Sequence, residues 1–177
     1  MKAIALFFFA MFISVGLCAC EDGTDDNQKI DISVLNAFEQ KFPLAKGVEW
    51  DKLGRYYVAE FKSSMGDGQY VELGTPGATP EVLYEMEAWF DSGANWRMTV
   101  IEATYTMLPN AVQHGFTTSN YGTWKVDDVD IVQRNGKETV YILEVKQGKT
   151  ERELYFNSKG VLTHEKKHPS EGYRDLL

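Results

Sequence analysis

The stretch HEKKH at residues 164–168 matches H-E-x-x-H, the pattern in which two histidines of a zinc protease bind one metal ion. That chemistry needs a helix, on which residues four apart lie about 6 Å apart along one face. Here the stretch continues the alternating run VLTHEKKH after the turn NSKG, which predicts a strand. On a strand, His164 and His168 would lie about 13 Å apart, too far to bind one ion. We therefore expect no metal site in this motif.

Other motifs of catalysis are missing from the sequence. It contains no G-x-S-x-G, and GTPGATP at residues 74–80 lacks the Lys-Ser/Thr pair of a phosphate loop. DDVD at residues 127–130 lacks the spacing of a calcium loop. A carboxylate pair for glycoside hydrolysis remains an alternative because acids are numerous, although no pattern places two of them together. We expect a protein that binds, with no catalytic residues and no cofactor.

The two cysteines of the chain follow an uncharged apolar run at residues 3–17. A membrane helix needs about 20 apolar residues, so this shorter run is typical of an export signal. LCAC at residues 17–20 resembles the bacterial lipoprotein signal, with an aliphatic residue at −3, a small residue at −1 and Cys20 as the lipidated residue. Cys18 does not fit, because it would place Leu17 at −1. An ordinary signal peptide with an incidental cysteine is the alternative.

Cleavage before Cys20 would remove residues 1–19 and leave no free thiol for a disulfide, a nucleophile or a metal. Loss of Lys2 changes the formal charge from −8 to −9, which argues against nucleic acid as a partner. Residues 20–30 predict an acidic tether. Its Glu21 and Asp22 resemble the surface-export tag of some Gram-negative bacteria, with a plain polar spacer as the alternative. We expect a lipid anchor in the outer membrane, facing the periplasm or the cell surface.

The sequence contains an internal repeat. VLNAFEQKF (34–42), YVAEFK (57–62) and AWFDSG (88–93) resemble, in the same order, LPNAVQHGF (108–116), YILEVK (141–146) and LYFNSK (154–159). The spacing between matched blocks varies, as insertions in loops would cause. We infer one unit at residues 31–104, a second at 105–168 and a C-terminal tail at 169–177.

Each unit predicts a helix followed by strands. In the first unit, Ile32, Leu35 and Phe38 recur at helical spacing, with Asp31 as the N-cap and Pro43 ending the helix. Alternating runs follow, separated in the second unit by the turns RNGK, VKQGKT and NSKG. The predicted fold is therefore α+β, with two tandem units that each combine one helix with a four-stranded antiparallel sheet.

The alternation also predicts which sheet face the helices cover. Residues that are apolar in both units, such as Phe61 and Val145, are assigned to the helix-covered face, with Trp50 and Trp124 in the core. Trp89 and Trp96 flank a turn and are candidates for contact. The opposite face, termed the helix-free face, is predicted to carry Tyr56, Val58, Glu60, Lys62, Trp89, Ile142, Glu144, Lys146 and Tyr155.

The export signal, the repeat and the stretches VEWDKLGRYYVAEF, YILEV and ELYFNSKGVLT together resemble the PepSY-like lipoproteins, which are similar to the β-lactamase-inhibitory proteins in fold. The resemblance covers residues 30–168. It implies an envelope protein without catalysis that binds or inhibits another protein. The chain departs from the pattern at residues 63–81, a Gly- and Pro-rich loop that replaces a short hairpin. This loop is a candidate contact, with Asp67 and Tyr70 at its tip.

Two hypotheses about function follow. In the first, the chain is a protein-binding or inhibitory module that uses the loop and the helix-free face. In the second, it binds a glycan on aromatic platforms beside carboxylates. The residues of the second hypothesis are Trp89, Tyr155 and Tyr56, with Glu60 and Glu144.

Overall fold

The computed structural model describes residues 30–64, 83–167 and 172–176. The order of its elements is helix, four strands, helix, four strands, as the sequence predicts. They are α1 (Ile32–Lys41), β1 (Lys46–Leu53), β2 (Tyr56–Ser64), β3 (Leu83–Asp91), β4 (Trp96–Glu102), a 3₁₀ helix (Tyr105–Met107), α2 (Asn110–Thr117), β5 (Lys125–Arg134), β6 (Lys137–Gln147), β7 (Thr150–Phe156), β8 (Leu162–Lys167) and a second 3₁₀ helix (Gly172–Leu176).

The described strands form one sheet of eight in the order β1 to β8, each antiparallel to the next. The expectation of two four-stranded sheets is wrong, because β4 pairs with β5 from Met98↔Arg134 to Glu102↔Asp130. This pairing satisfies the backbone groups of two strands that would otherwise be exposed edges. The division of the chain into two repeat units remains a prediction.

Helix α1 has the predicted boundaries. Asp31 caps its N-terminus by accepting a 2.8 Å hydrogen bond from the backbone N–H of Ser33. The helix ends at Lys41, just before Phe42 and Pro43. Its buried Phe38 contacts the rings of neighbouring aromatics on the sheet, with a ring-centroid distance of 5.0 Å to Phe61.

The helix-covered face contains the main core, as predicted. Val34 and Phe38 of α1 and Val112 and Phe116 of α2 are buried in one cluster with sheet residues. Trp50 and Trp124 pack against that cluster from its border, which agrees with their predicted place. The sheet residues predicted for this face and buried in it are Ala59, Phe61, Ala88, Phe90, Tyr141, Leu143, Val145, Leu154 and Phe156.

The turns β3–β4 and β7–β8 have the same hydrogen bonds. The side-chain Oδ1 of Asp91 accepts from backbone N–H groups two and four residues later, both at 3.0 Å. Asn157 does the same at 3.1 and 3.0 Å. Ala94 and Gly160, each three residues further on, share a left-handed backbone with φ of 61° and 76°. Asp91 and Asn157 are matched residues of the third pair of sequence blocks, so this equivalence supports the proposed duplication.

Two glycines let α2 rest directly on the β7–β8 turn. A Cβ atom on Gly115 would lie 1.9 Å from the carbonyl oxygen of Gly160, and a Cβ on Gly160 would lie 1.9 Å from that of Ala111. No larger residue fits at either position without moving backbone. These contacts fix the second helix against the sheet.

His164 of the H-E-x-x-H motif lies on strand β8. The prediction of a strand is confirmed for Leu162–Lys167, and His168 lies outside the described residues. A strand does not present residues four apart to one ion in the way that a helix does.

Candidate binding surface on the helix-free face

The helix-free face carries a second apolar cluster, termed the apolar patch. Val58, Trp89 and Met98 lie side by side on β2, β3 and β4, and Val100 pairs with Val132 across β4 and β5. The members of the patch are all buried although no α-helix covers them. They are Val58, Trp89, Met98, Val100, Val132, Ile142 and Tyr155.

The C-terminal 3₁₀ helix Gly172–Leu176, termed the C-terminal segment, covers this patch. Tyr173 and Leu176 pack against it, and the Tyr173 ring meets the Trp89 ring edge-on at a centroid distance of 6.4 Å. The Arg174 guanidinium lies 5.8 Å from the centre of the same indole ring. The Tyr173 hydroxyl donates a 2.7 Å hydrogen bond to Glu87 Oε2. Trp89 is consequently only 2% exposed.

A group of carboxylates, termed the acidic band, lies beside the apolar patch on the same face. The register pairs Glu60 with Glu87, Glu102 with Asp130, and Glu144 with both Asp128 and Glu153. Carboxylates therefore run from β2 to β7 at one end of the face. The members of the band are Glu60, Glu85, Glu87, Glu102, Asp128, Asp130, Glu144 and Glu153.

Asp130 lies at the centre of the acidic band and is half-buried. Burial raises the pKa of Asp130 well above its ordinary value, and the neighbouring carboxylates Asp128, Glu144, Glu87 and Glu102 raise it further. Like charges at this spacing disfavour ionisation of a carboxylate at the centre of the group. The centre of the band therefore favours a bound proton or a neighbouring cation.

The pKa values of two exposed carboxylates at the border of the band are raised as well. Burial, with the charge of Glu87 next in size, raises the pKa of Glu60. Burial, followed by the charge of Asp128, raises the pKa of Glu102. Lys62 opposes this charge through a 2.8 Å ion pair with Glu85. The band remains a surface of concentrated negative potential.

Tyr155 is the member of the apolar patch that lies on β7. It contacts side chains of its own strand and of the neighbouring strand β8. Its hydroxyl donates a 2.8 Å hydrogen bond to Oε2 of the buried Glu153. The His164 ring meets the Tyr155 ring edge-on at 6.0 Å, and the Lys166 ammonium lies 5.3 Å from its centre. Tyr155 is 3% exposed as a result.

The structure brings together five of the predicted site residues. Tyr56, Glu60 and Glu144 lie on the helix-free face as expected, and the Tyr56 ring packs against Trp89 at 5.9 Å. Trp89 and Tyr155 share that face but are buried, so neither is a free platform in this conformation.

Trp96, a predicted contact residue, lies apart from the helix-free face. It packs against the helix-covered core, where the Lys41 ammonium lies 3.7 Å from its ring centre, because a bulge between Trp89 and Phe90 shifts the register of β3 and β4. Asp67, Tyr70 and Cys20 lie outside the described residues.

Sequence reasoning missed the central residues of this surface. Each of three acids lies two residues from an apolar residue of the patch. Glu87 precedes Trp89 in YEMEAW (84–89), Glu102 follows Val100 in VIE (100–102), and Asp130 precedes Val132 in VDIV (129–132). That spacing was the available signal for a common face. The role of Tyr173 had a weaker signal, an aromatic residue and leucines in the polar tail PSEGYRDLL (169–177).

Within residues 30–64, 83–167 and 172–176, no group of three or more His, Cys, Asp or Glu residues is arranged to hold a metal ion. Over the same residues, every helix is too short or too polar to cross a membrane. A groove between α1 and β1 is lined mainly by apolar residues such as Leu35, Val48 and Trp50, with Glu39 among them.

An eight-stranded antiparallel sheet with helices on one face defines an α+β protein of the β-lactamase-inhibitor-like type. The family model described as beta-lactamase-inhibitor-like, PepSY-like matches residues 79–164. The crystal structure of a BLIP-like protein from Bacteroides fragilis is 32% identical, with a TM-score of 0.63, and the match covers 79% of this chain and 87% of that one. The chain belongs to this PepSY-like, β-lactamase-inhibitor-like family, as its sequence predicted.

More distant structures share the fold. A DUF2874 family protein from Bacteroides ovatus is 22% identical, with a TM-score of 0.66 over 82% of this chain and 96% of that one. A protein from Bacteroides eggerthii, provisionally described as periplasmic, is 21% identical, with a TM-score of 0.66 over 82% of this chain and 95% of that one. No curated protein matches the chain.

Proposed function

We propose that the chain is an exported, lipid-anchored binding protein of the bacterial cell envelope, which binds another protein through its helix-free face and catalyses no reaction. One observation carries the proposal: the apolar patch and the acidic band lie side by side on one face of a single sheet. Adjacent strands lie about 4.8 Å apart, so the band is roughly 24 Å wide from β2 to β7. That width suits one side of a standard protein interface, about 800 Å².

The family supports binding as the general role. The Bacteroides fragilis relative is named BLIP-like. By analogy with that name, we propose that this chain binds or inhibits another protein. The combination of buried apolar centre and charged border is the usual arrangement of protein interfaces.

The long insertion contributes to the same surface in this proposal. It begins after Ser64 and ends before Leu83, which pair at the end of β2 and β3. The ion pair of Lys62 and Glu85 lies one step away on the helix-free face. Asp67 and Tyr70 therefore remain candidate contacts from a loop that enters and leaves beside the acidic band.

The lipid anchor rests on the LCAC stretch, with Cys20 as the attachment residue. The description of the Bacteroides eggerthii relative as provisionally periplasmic supports an envelope location. We place the protein on the outer membrane, facing the periplasm or the cell surface.

The structure does not support the glycan-binding alternative. Sugar stacking needs exposed aromatic faces, whereas Trp89 and Tyr155 are 2% and 3% exposed. Of the three predicted platforms, only Tyr56 is partly exposed. Its ring already contacts the Trp89 ring and the Arg55 guanidinium.

Affinity capture from the native cell envelope tests the proposal. The bait is the chain without its signal and lipid, residues 21–177, and captured proteins are identified by mass spectrometry. The variant Glu60→Lys/Glu102→Lys reverses two exposed charges on the helix-free face, and Glu39→Lys on the exposed side of α1 is the matched control.

We expect one protein to be captured in near-stoichiometric amount by the natural chain and by Glu39→Lys, and lost with the double variant. Replacing residues 65–82 by a short Gly-Ser turn should weaken the same capture. Absence of any captured protein from a folded bait would contradict the proposed function.

A further inference from the structure

The C-terminal segment lies on the helix-free face much as a bound peptide would. It inserts an aromatic ring against Trp89, places a cation over the same indole and gives one hydroxyl hydrogen bond to Glu87. Leu176 adds an aliphatic contact with the patch. An aromatic residue, a cation and an aliphatic residue are thus the side chains that this surface accepts.

The acidic band is only partly neutralised by this occupant. The cations on the same face of the described strands and segment include Lys62, Arg134, Lys146, Lys166 and Arg174. Most of them lie against groups outside the band, since Arg134 donates to the carbonyl of Glu138 and Lys166 lies over the Tyr155 ring. Lys146 lies 3.7 Å from Asp127 and 3.4 Å from Glu151, outside the band. Arg174 lies over Trp89, so the centre of the band at Asp130 is left among other carboxylates.

We propose that the helix-free face binds a basic protein segment that carries an aromatic residue, and that the C-terminal segment occupies this site until the partner displaces it. The inference rests on the proposed function and adds to it the chemistry of the partner. The partner's aromatic residue replaces Tyr173 against Trp89. Its lysine or arginine side chains meet the acidic band, which the resident segment leaves in excess of negative charge.

A partner can displace the C-terminal segment because the segment is short. A single 3₁₀ turn is not stable by itself, so its position depends on the contacts of Tyr173, Arg174 and Leu176. In the absence of a partner, these contacts keep the large Trp89 side chain out of water. In its presence, the apparent affinity is the intrinsic affinity multiplied by the fraction of chains whose segment has left the face.

The test measures binding of a short synthetic peptide of alternating lysine and tyrosine to residues 21–177, by fluorescence anisotropy. A peptide with glutamate in place of lysine is the control probe. The protein variants are Tyr173→Ala, which weakens the resident segment, Glu60→Lys/Glu102→Lys, which reverses charge in the band, and Glu39→Lys as the control. Circular dichroism establishes that each variant is folded, and Tyr173→Phe provides a milder change that keeps the ring.

The basic peptide should bind and the acidic one should not, with binding that weakens as salt screens the band. Tyr173→Ala should tighten binding by more than about tenfold, because more chains have a free face. Tyr173→Phe should tighten it less, and Glu60→Lys/Glu102→Lys should weaken it by about tenfold. Glu39→Lys should leave it unchanged.

Equal binding of the two peptides, no binding of either, or unchanged affinity in Tyr173→Ala would overturn the inference. Affinity capture from the cell envelope distinguishes failure of this inference from failure of the proposed binding function. A captured protein that is retained equally by Tyr173→Ala and by the charge-reversed variant would leave a binding protein whose partner does not use this site.

Discussion

The hydroxyl of Tyr173 donates a 2.7 Å hydrogen bond to Glu87, a residue 86 positions earlier in the chain. Trp89 donates its indole N–H to the same oxygen, Glu87 Oε2, at 3.2 Å. One carboxylate of β3 therefore links the C-terminal segment to the centre of the helix-free face. Burial, with the charge of Glu87 beside it, raises the pKa of Tyr173, so the phenol stays protonated and continues to donate.

Replacing Tyr173 by Phe should loosen the C-terminal segment without unfolding the sheet. The change removes a hydrogen bond to a charged group, a type that contributes about 1.5–3 kcal/mol. We expect the backbone amides of residues 172–176 to exchange with solvent at least about tenfold faster, measured by hydrogen–deuterium exchange. Tyr57→Phe, on the helix-covered side, is the control. Unchanged exchange in Tyr173→Phe would show that the hydrogen bond does not hold the segment.

Replacing Asp130 by Asn should stabilise the protein at neutral pH. The pKa of Asp130 is raised by burial and by Asp128, Glu144, Glu87 and Glu102, whereas in the unfolded chain it lies near about 3.9. Between these two values the folded chain binds more protons than the unfolded chain, so the free energy of unfolding falls as pH rises through that window. Asn removes the unfavourable charge.

The expected gain from Asp130→Asn is on the order of 1 kcal/mol at pH 7 and should vanish below about pH 3, where both states bind the proton. Urea unfolding at a series of pH values measures it. Asp127→Asn is the matched control on the same strand. The hydrogen bond from Lys125 lowers the pKa of Asp127, so this variant should lose stability at neutral pH. A gain in both variants would contradict the assignment.

Replacing Gly160 by Ala should destabilise the protein strongly. The residue has φ of 76°, and a Cβ there would lie 1.9 Å from the carbonyl oxygen of Ala111. We expect a loss of about 2 kcal/mol or more in the free energy of unfolding. Gly136 has a similar φ of 66° but nothing within 4 Å of its Cβ position, so Gly136→Ala should lose only about 1 kcal/mol. Equal unfolding midpoints would refute the close contact of α2 with the turn.

Replacing Cys20 by Ala should release the protein from membranes. Lipidation attaches acyl chains whose burial contributes about 0.8 kcal/mol for each methylene group. We expect full-length Cys20→Ala to move to the soluble fraction after cell disruption, detected by immunoblot. Cys18→Ala differs by two positions only and should remain with the membranes. Membrane retention of Cys20→Ala would contradict the lipoprotein assignment.

The sequence by itself determined the local elements of this protein. The cap at Asp31, the end of α1 before Pro43 and the hairpin turn at Gly136 depend on neighbouring residues, because their hydrogen bonds and backbone angles are local. Alternation likewise assigned Phe61 and Leu143 to the helix-covered core, since the side-chain period of a strand is two. The resemblance of these stretches to the PepSY-like family was then sufficient to predict the fold class.

Only the tertiary structure decided how those elements combine. Pairing of β4 with β5 depends on two strand edges meeting across the connection that contains α2, which local patterns do not encode. The bulge after Trp89 placed Trp96 on the helix-covered side, a side that the sequence pattern had left unassigned. The acidic band gathers residues from six strands, and the segment that contains Tyr173 returns across the sheet to Glu87. Such long-range contacts follow from the global register and packing of the sheet, so the residues of the candidate site became apparent only in the folded chain.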